Sequence, residues 1–98
     1  MRESTVETYL HREVVKAGGD TRKFTGRKGV PDRIVIWPRF MKGDLPVSPV
    51  IHFVETKAPG KRPRADQVRE HKRLRDLGCI VLTIDTKPVV DLYVKAWK

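Results

Sequence analysis

Three short runs of β-branched and other apolar residues constrain the fold of this chain more than any other feature of its sequence. They occupy residues 33–37 (RIVIW), 50–55 (VIHFVE) and 79–84 (CIVLTI). Nearly continuous runs of this kind are typical of strands that are buried within a sheet. Because longer segments with a helical pattern lie on either side of them, the sequence predicts an α/β fold.

The helical segments are recognised by apolar residues at helical spacing. Val6, Leu10 and Val14 recur in this way before a glycine pair at 18–19, which predicts a first helix over 4–17. A second helix is predicted over 65–77, and a third starts near Thr86.

A short strand over 21–25, followed by a glycine-bounded turn at 26–29, predicts a hairpin into the run at 33–37. Residues 38–49 contain three prolines and are predicted to form a loop. The predicted order is therefore α-β-β-β-α-β-α, with a mixed central sheet flanked by helices.

Length and composition narrow the class of protein. Ninety-eight residues allow one domain over 1–98, and 21 Lys+Arg minus 12 Asp+Glu gives a net charge of +9. Such an excess is typical of proteins that bind polyanions, although a solvated basic surface or attraction to an anionic membrane would give the same balance.

The cysteine and histidine content excludes two kinds of structural site. A single cysteine, Cys79, cannot form an intramolecular disulfide, and the three scattered histidines lack the spacing of a zinc site. The chain also has no apolar stretch of the roughly 20 residues that a membrane span requires. We expect an intracellular, cytoplasmic protein with no membrane partner.

A cluster of charged residues is predicted where two of the strands meet. Glu55 and Lys57 are two residues apart and share one face of the strand, while Asp32 precedes the strand at 33–37. Two carboxylates on adjacent strands can bind a hard cation such as Mg²⁺. The alternatives are an exposed Glu/Lys pair at a strand end and an aspartate that satisfies its own turn.

Gln67 lies on the face of the second helix that is predicted to point inward, together with His71 and flanked by Val68 and Leu77. A buried amide needs partners, so Gln67 is expected to orient a carboxylate, a water or a phosphate. A half-exposed glutamine in the first helical turn is the alternative. His71 is expected to be a hydrogen-bonded residue of the core or of a groove.

Glu7 has two possible roles in the first helix. With Ser4 it matches the Ser-x-x-Glu pattern of a capping box, which is the interpretation favoured by sequence alone. Its carboxylate could instead lean toward Asp32 and Glu55 as a further acidic group.

The order Val30-Pro31-Asp32, then Glu55-Thr56-Lys57, then Gln67 resembles the PD-(D/E)xK nuclease superfamily, and its spacing is most similar to the VRR-NUC (virus-type replication-repair nuclease) branch. The resemblance implies a three-layer restriction-endonuclease-like fold. It also implies that Asp32 and Glu55 bind Mg²⁺ or Mn²⁺ with help from the Thr56 backbone carbonyl. Lys57 would then stabilise the attacking hydroxide and the developing charge, and Gln67 and Glu7 would complete the site.

Basic residues surround the predicted site and are expected to contact the phosphate backbone of a nucleic acid. Some of them could simply be solvated, and no base-reading motif accompanies them. The expected contacts are Arg27, Lys28, Lys61, Arg62, Arg64, Arg69, Lys72, Arg73 and Arg75.

Taken together, the resemblance implies a metal-dependent DNA endonuclease of viral or bacterial origin. Its expected substrate is branched or junction DNA in replication, recombination or repair, cut as a resolvase would by a homodimer or higher homo-oligomer. Two alternatives are a non-catalytic nucleic-acid-binding domain and a sequence-specific restriction-type nuclease on the same fold.

Overall fold

The computed structural model describes residues 1–38 and 49–98. It contains three helices and four strands in the predicted order. Most of the loop predicted over 38–49 lies outside the described residues. The elements are α1 (Glu3–Lys16), β1 (Asp20–Lys23), β2 (Arg33–Trp37), β3 (Val50–Thr56), α2 (Ala65–Asp76), β4 (Ile80–Ile84) and α3 (Lys87–Trp97).

The four strands form one mixed sheet in the order β1-β2-β3-β4. β1 pairs antiparallel with β2 and β2 pairs antiparallel with β3, whereas β3 and β4 are parallel. The parallel pair follows from chain order, because α2 forms the crossover between β3 and β4. The predicted hairpin and mixed α/β sheet are confirmed.

The two faces of β3 differ because successive side chains alternate across a sheet. Val54 belongs to the apolar core with Val6, Leu10 and Val14 of α1 and with residues of α3. Glu55, on the opposite face, accepts a hydrogen bond from Gln67 of α2. The sheet is therefore a middle layer between α1 and α3 on one side and α2 on the other.

A buried hydrogen-bond chain fixes α3 against the strands. The Trp37 indole N–H donates to the Tyr93 hydroxyl at 2.9 Å, and that hydroxyl lies 2.6 Å from Nδ1 of His52. Since an indole N–H can only donate, the Tyr93 hydroxyl accepts from Trp37. Burial raises the pKa of Tyr93 to about 12, so the hydroxyl keeps its proton.

Gly29 allows the turn before β2 to lie against α2. Its φ is +92°, in the left-handed region, and a Cβ at this position would lie 2.7 Å from the Asp66 carbonyl oxygen. Only glycine permits this approach without displacing backbone. The turn thereby brings the segment that leads to Asp32 next to the start of α2.

Two details of the helices differ from the sequence prediction. α1 has Arg2 as its N-cap with no side-chain cap, so Ser4 is already helical and the predicted Ser4–Glu7 capping box is wrong. In α2 the side chains that point inward are Gln67, Glu70 and His71. Val68 and Leu77, which were expected beside them, are exposed. No helix of the described residues is long and apolar enough to cross a bilayer.

Candidate metal and catalytic site

Three carboxylates from three elements converge at one end of the sheet. Glu3 at the start of α1, Asp32 just before β2 and Glu55 near the end of β3 each place a carboxylate oxygen within 4.8 Å of the other two. Glu3 is exposed, Asp32 is half-buried and Glu55 is fully buried. The cluster therefore runs from solvent into the protein, as a site reached by a ligand must do.

Asp32 is held by the strand that carries Glu55. The Thr56 backbone N–H and hydroxyl both donate to Asp32 Oδ2, at 2.8 and 2.9 Å. The β2–β3 register, in which Arg33 is opposite Val54, continues to place Asp32 opposite Glu55. Because these two contacts use Oδ2, Oδ1 remains for a ligand of the site.

The two carboxylate oxygens of Glu55 also differ in their contacts. Oε2 accepts from the Gln67 amide at 2.9 Å and lies 3.2 Å from the Lys57 ammonium. Oε1 is buried and has no hydrogen-bond partner among the described residues. Nε2 of His71 is 3.8 Å from Oε1, which is too long for a hydrogen bond.

The Gln67 side chain is oriented by the backbone at the start of α2. Its Oε1 accepts the Arg64 backbone N–H at 2.9 Å, as the third residue of a capping arrangement does. A backbone N–H can only donate, so the amide oxygen must face Arg64 and the NH₂ group must face Glu55. The predicted role of Gln67 in orienting a carboxylate therefore agrees with its contacts.

The electrostatic environment of Glu55 disfavours its charge. Burial, followed by the neighbouring Asp32 carboxylate, raises the pKa of Glu55 to about 7 from its ordinary 4.5, although Lys57 opposes this change. Burial and the positive charges of Arg75 and Lys57 lower the pKa of His71, so its imidazole adds no positive charge near neutral pH. The negative charge of an ionised Glu55 is therefore not fully balanced by Lys57 and His71.

A divalent cation fits this donor set. Hard cations bind carboxylate oxygens, and Glu55 Oε1 is a buried ligand atom that no group within residues 1–38 and 49–98 satisfies. Buried polar atoms are nearly always paired in native proteins, so an unpaired one at a carboxylate cluster indicates a ligand. Glu3, Asp32 and Glu55 are the residues that could hold the cation.

The structure does not bring Glu7 into this cluster. Its Oε2 lies 2.8 Å from the Arg33 guanidinium and 2.6 Å from the Lys23 ammonium, both on the face of the sheet that packs against α1. The prediction that Glu7 leans toward the metal ligands is therefore corrected. Glu3, one turn earlier, takes the place expected of an acidic residue in the first helix.

Two residues of the site region were missed by sequence reasoning, although the helical wheel places both on an inward stripe. At 100° per residue, Glu3 lies about 20° from the line of Leu10 and Val14, so it is on the inward stripe of α1. Glu70 is 5% exposed although it is charged. At 100° per residue, Glu70 lies between Leu74 and Leu77 on the helical wheel, so it too falls on the stripe that was predicted to point inward.

The predicted DNA-contacting residues differ in what they already contact. Four of them lie within ion-pair distance of an acidic side chain: Arg27 and Arg73 of Glu70, Arg64 of Asp66, and Lys72 of Asp76. Arg75 donates to the Val81 carbonyl at 2.8 Å. Within residues 1–38 and 49–98, no ion pair involves Lys28, Lys61, Arg62 or Arg69.

Comparison with known proteins finds both a sequence relative and a similar solved structure. No protein-family model matches the chain. A protein named "Putative nuclease p44" from Acyrthosiphon pisum secondary endosymbiont phage 1 is 45% identical over 89 residues, which cover 89% of this chain and 86% of that protein. A solved structure of a VRR_NUC domain matches with a TM-score of 0.79 and 33% identity, covering 98% of this chain and 97% of that one.

Proposed function

This chain belongs to the VRR-NUC family of nucleases, and we propose that it is a DNA endonuclease that depends on Mg²⁺ or Mn²⁺ and acts on branched DNA. The observation that best supports this is the oxygen pattern of the two inner carboxylates. Asp32 and Glu55 each use one oxygen for protein donors, and the second oxygen of Glu55 is buried with no hydrogen-bond partner among the described residues.

A DNA-binding surface without catalysis has no need of such a cluster. Each carboxylate repels phosphate unless a cation lies between them, and three carboxylates within 4.8 Å also repel one another. A bound divalent cation would polarise the phosphoryl oxygen and lower the pKa of the attacking water. The Thr56 backbone carbonyl completes the ligand set in this proposal.

Lys57 is the residue proposed to act on the reacting phosphate. Its ammonium is buried beside Glu55 Oε2 and has three N–H donors, of which one faces that carboxylate. The other two are available to the attacking water and to a phosphate oxygen that gains charge in the transition state. Gln67 donates to the same oxygen, Glu55 Oε2, and so helps to fix the carboxylate beside Lys57.

The choice of branched DNA as substrate rests on charge and on the family resemblance. A net charge of +9 attracts the phosphate backbone, and no base-reading motif is present to select a sequence. We propose recognition by shape in replication, recombination or repair. Two copies related by two-fold symmetry would cut two strands symmetrically, as a resolvase does.

The experiment that tests this proposal separates binding from cleavage. Flapped, four-way-junction and linear duplex DNAs are incubated with wild-type protein and with Asp32→Ala, in Mg²⁺ and in Mn²⁺, while binding is measured in Ca²⁺. We expect wild type to cleave the branched DNAs and Asp32→Ala to bind them without cleavage. Equal cleavage of linear duplex at one defined sequence would instead support a restriction-type enzyme.

A further inference from the structure

Glu70 of α2 is a buried carboxylate that holds two arginines from different parts of the chain. Its Oε1 lies 3.0 Å from a guanidinium nitrogen of Arg73 and 3.4 Å from Nε of Arg27. The Glu70 side chain is 6% exposed, whereas those of Arg27 and Arg73 are 67% and 54% exposed. The carboxylate is thus buried, and the two arginine side chains extend from it into solvent.

Stability alone is a weak reason for this arrangement. Burying a carboxylate away from water costs folding free energy, and ion pairs with exposed partners stabilise the fold only slightly. Two guanidinium groups also repel one another unless a negative charge lies between them. Glu70 supplies that charge, so the trio keeps a net charge of +1 and displays two exposed arginines side by side.

The position of this trio relates it to the catalytic cluster. Glu70 and Gln67 share the inward face of α2 and are three residues apart, a rise of about 4.5 Å along the helix. Arg27 belongs to the turn that Gly29 holds against the start of α2.

We propose that Glu70 is a positioning residue that holds Arg27 and Arg73 as a two-arginine clamp for a DNA phosphate next to the one that is cleaved. This inference rests on the proposed function, and it specifies a binding subsite for the same substrate. Arginine suits such a subsite because its planar group can give two parallel hydrogen bonds to phosphate oxygens.

Glu70→Gln tests the clamp because two explanations predict opposite changes in DNA affinity. If Glu70 acted only through its charge, removing that charge near DNA would tighten binding. The clamp predicts instead that binding of a flapped duplex in Ca²⁺ weakens about tenfold, the size of one charge-assisted hydrogen bond. The matched control is Asp76→Asn, which removes an exposed carboxylate paired with Lys72 on the same helix and should leave binding equal or tighter.

Arg27→Ala supplies a second test that does not depend on a buried substitution. It should weaken binding and reduce the slope of log K against log salt by about 0.9, the value for one lost phosphate contact. In the Arg27→Ala background, Arg73→Ala should weaken DNA binding less than it does in the wild-type protein, because both arginines hold one phosphate. Thermal melts of each variant separate loss of the clamp from loss of the fold.

The outcomes distinguish the clamp from the proposed function. Wild-type affinity, or tighter binding, in Glu70→Gln together with an unchanged salt slope in Arg27→Ala would overturn the clamp while DNA cleavage by wild type stands. If wild type binds no DNA, both proposals fail. Weakened binding in Glu70→Gln with unaffected Asp76→Asn supports the clamp.

Discussion

Replacing Glu55 by glutamine should stabilise the protein at alkaline pH in the absence of divalent cations. The pKa of Glu55 is raised from 4.5 to about 7 by burial and by Asp32. A tenfold change in proton binding is worth about 1.4 kcal/mol, so ionising this carboxylate in the folded state costs about 3 kcal/mol as an upper value. Glutamine keeps the shape of the side chain and removes the charge.

The pH window follows from the two pKa values of Glu55. Between 4.5 and about 7 the folded protein retains this proton while the unfolded chain has lost it. The contribution of Glu55 is therefore fully present below pH 4.5 and is lost as the pH rises through about 7. His71 acts in the opposite direction, because its lowered pKa makes stability rise with pH through its ordinary value of 6.5.

The difference between Glu55→Gln and wild type isolates this effect, because His71 is present in both. Urea denaturation in EDTA should give similar free energies of unfolding at about pH 4 and an advantage for the variant approaching 3 kcal/mol at about pH 8. Asp76→Asn, the control, should stay within about 0.5 kcal/mol of wild type throughout. An equal difference at both pH values, or a wild type more stable at the higher pH, would refute the reasoning.

Three further predictions concern the ligands and their support. Glu3→Gln should weaken the stabilisation by Mn²⁺ in thermal melts, whereas Glu7→Gln should leave that stabilisation unchanged; the reverse result would restore Glu7 as the ligand. Gln67→Ala should lower the cleavage rate about 10- to 100-fold, as lost support of a metal ligand does, and an unchanged rate would contradict its orienting role. Gly29→Ala should destabilise by more than the about 1–2 kcal/mol of a left-handed residue alone. Gly60→Ala is the reference for the left-handed conformation alone, because Gly60 has φ +77° and open space around it. Equal losses of unfolding free energy in urea for the two variants would contradict the close approach of Gly29 to Asp66.

Much of the fold was predictable from the sequence because local signals agreed with the tertiary structure. The run at 33–37 coincides with β2, and the second predicted helix differs from α2 by only one residue at its end. Asp32, Glu55 and Gln67 were predictable as neighbours for the same reason. Strand alternation and a helix face fix their directions once the strands are taken as adjacent.

The choice between Glu3 and Glu7 as the acidic residue from α1 was not predictable, because it depends on how that helix docks. Glu3 and Glu7 are 40° apart on the helical wheel, at 100° per residue. The choice between them is made by Arg33 and Lys23, which hold the Glu7 carboxylate on the other side of the sheet. That contact requires the register of β1 and β2, which the sequence alone does not reveal.

The centre of the inward face of α2, Gln67 with His71, was predicted correctly, but its flanks were not. A hydrophobic pattern assigns apolar residues inward, yet Val68 is exposed and Glu70 is buried. The helix packs a polar stripe over the carboxylates and leaves apolar side chains in solvent. A helix that covers a charged site can therefore keep its predicted orientation and still bury polar side chains where apolar ones were expected.

Cleavage of a labelled flapped duplex by wild type and by Glu55→Gln, with Mn²⁺ and with EDTA, tests the central claim most directly. The account predicts that wild type cleaves only with the cation. Glu55→Gln should not cleave under either condition, although it should be the more stable protein at about pH 8. Cleavage by Glu55→Gln at the wild-type rate, or by wild type in EDTA, would contradict a cation-dependent site at these carboxylates.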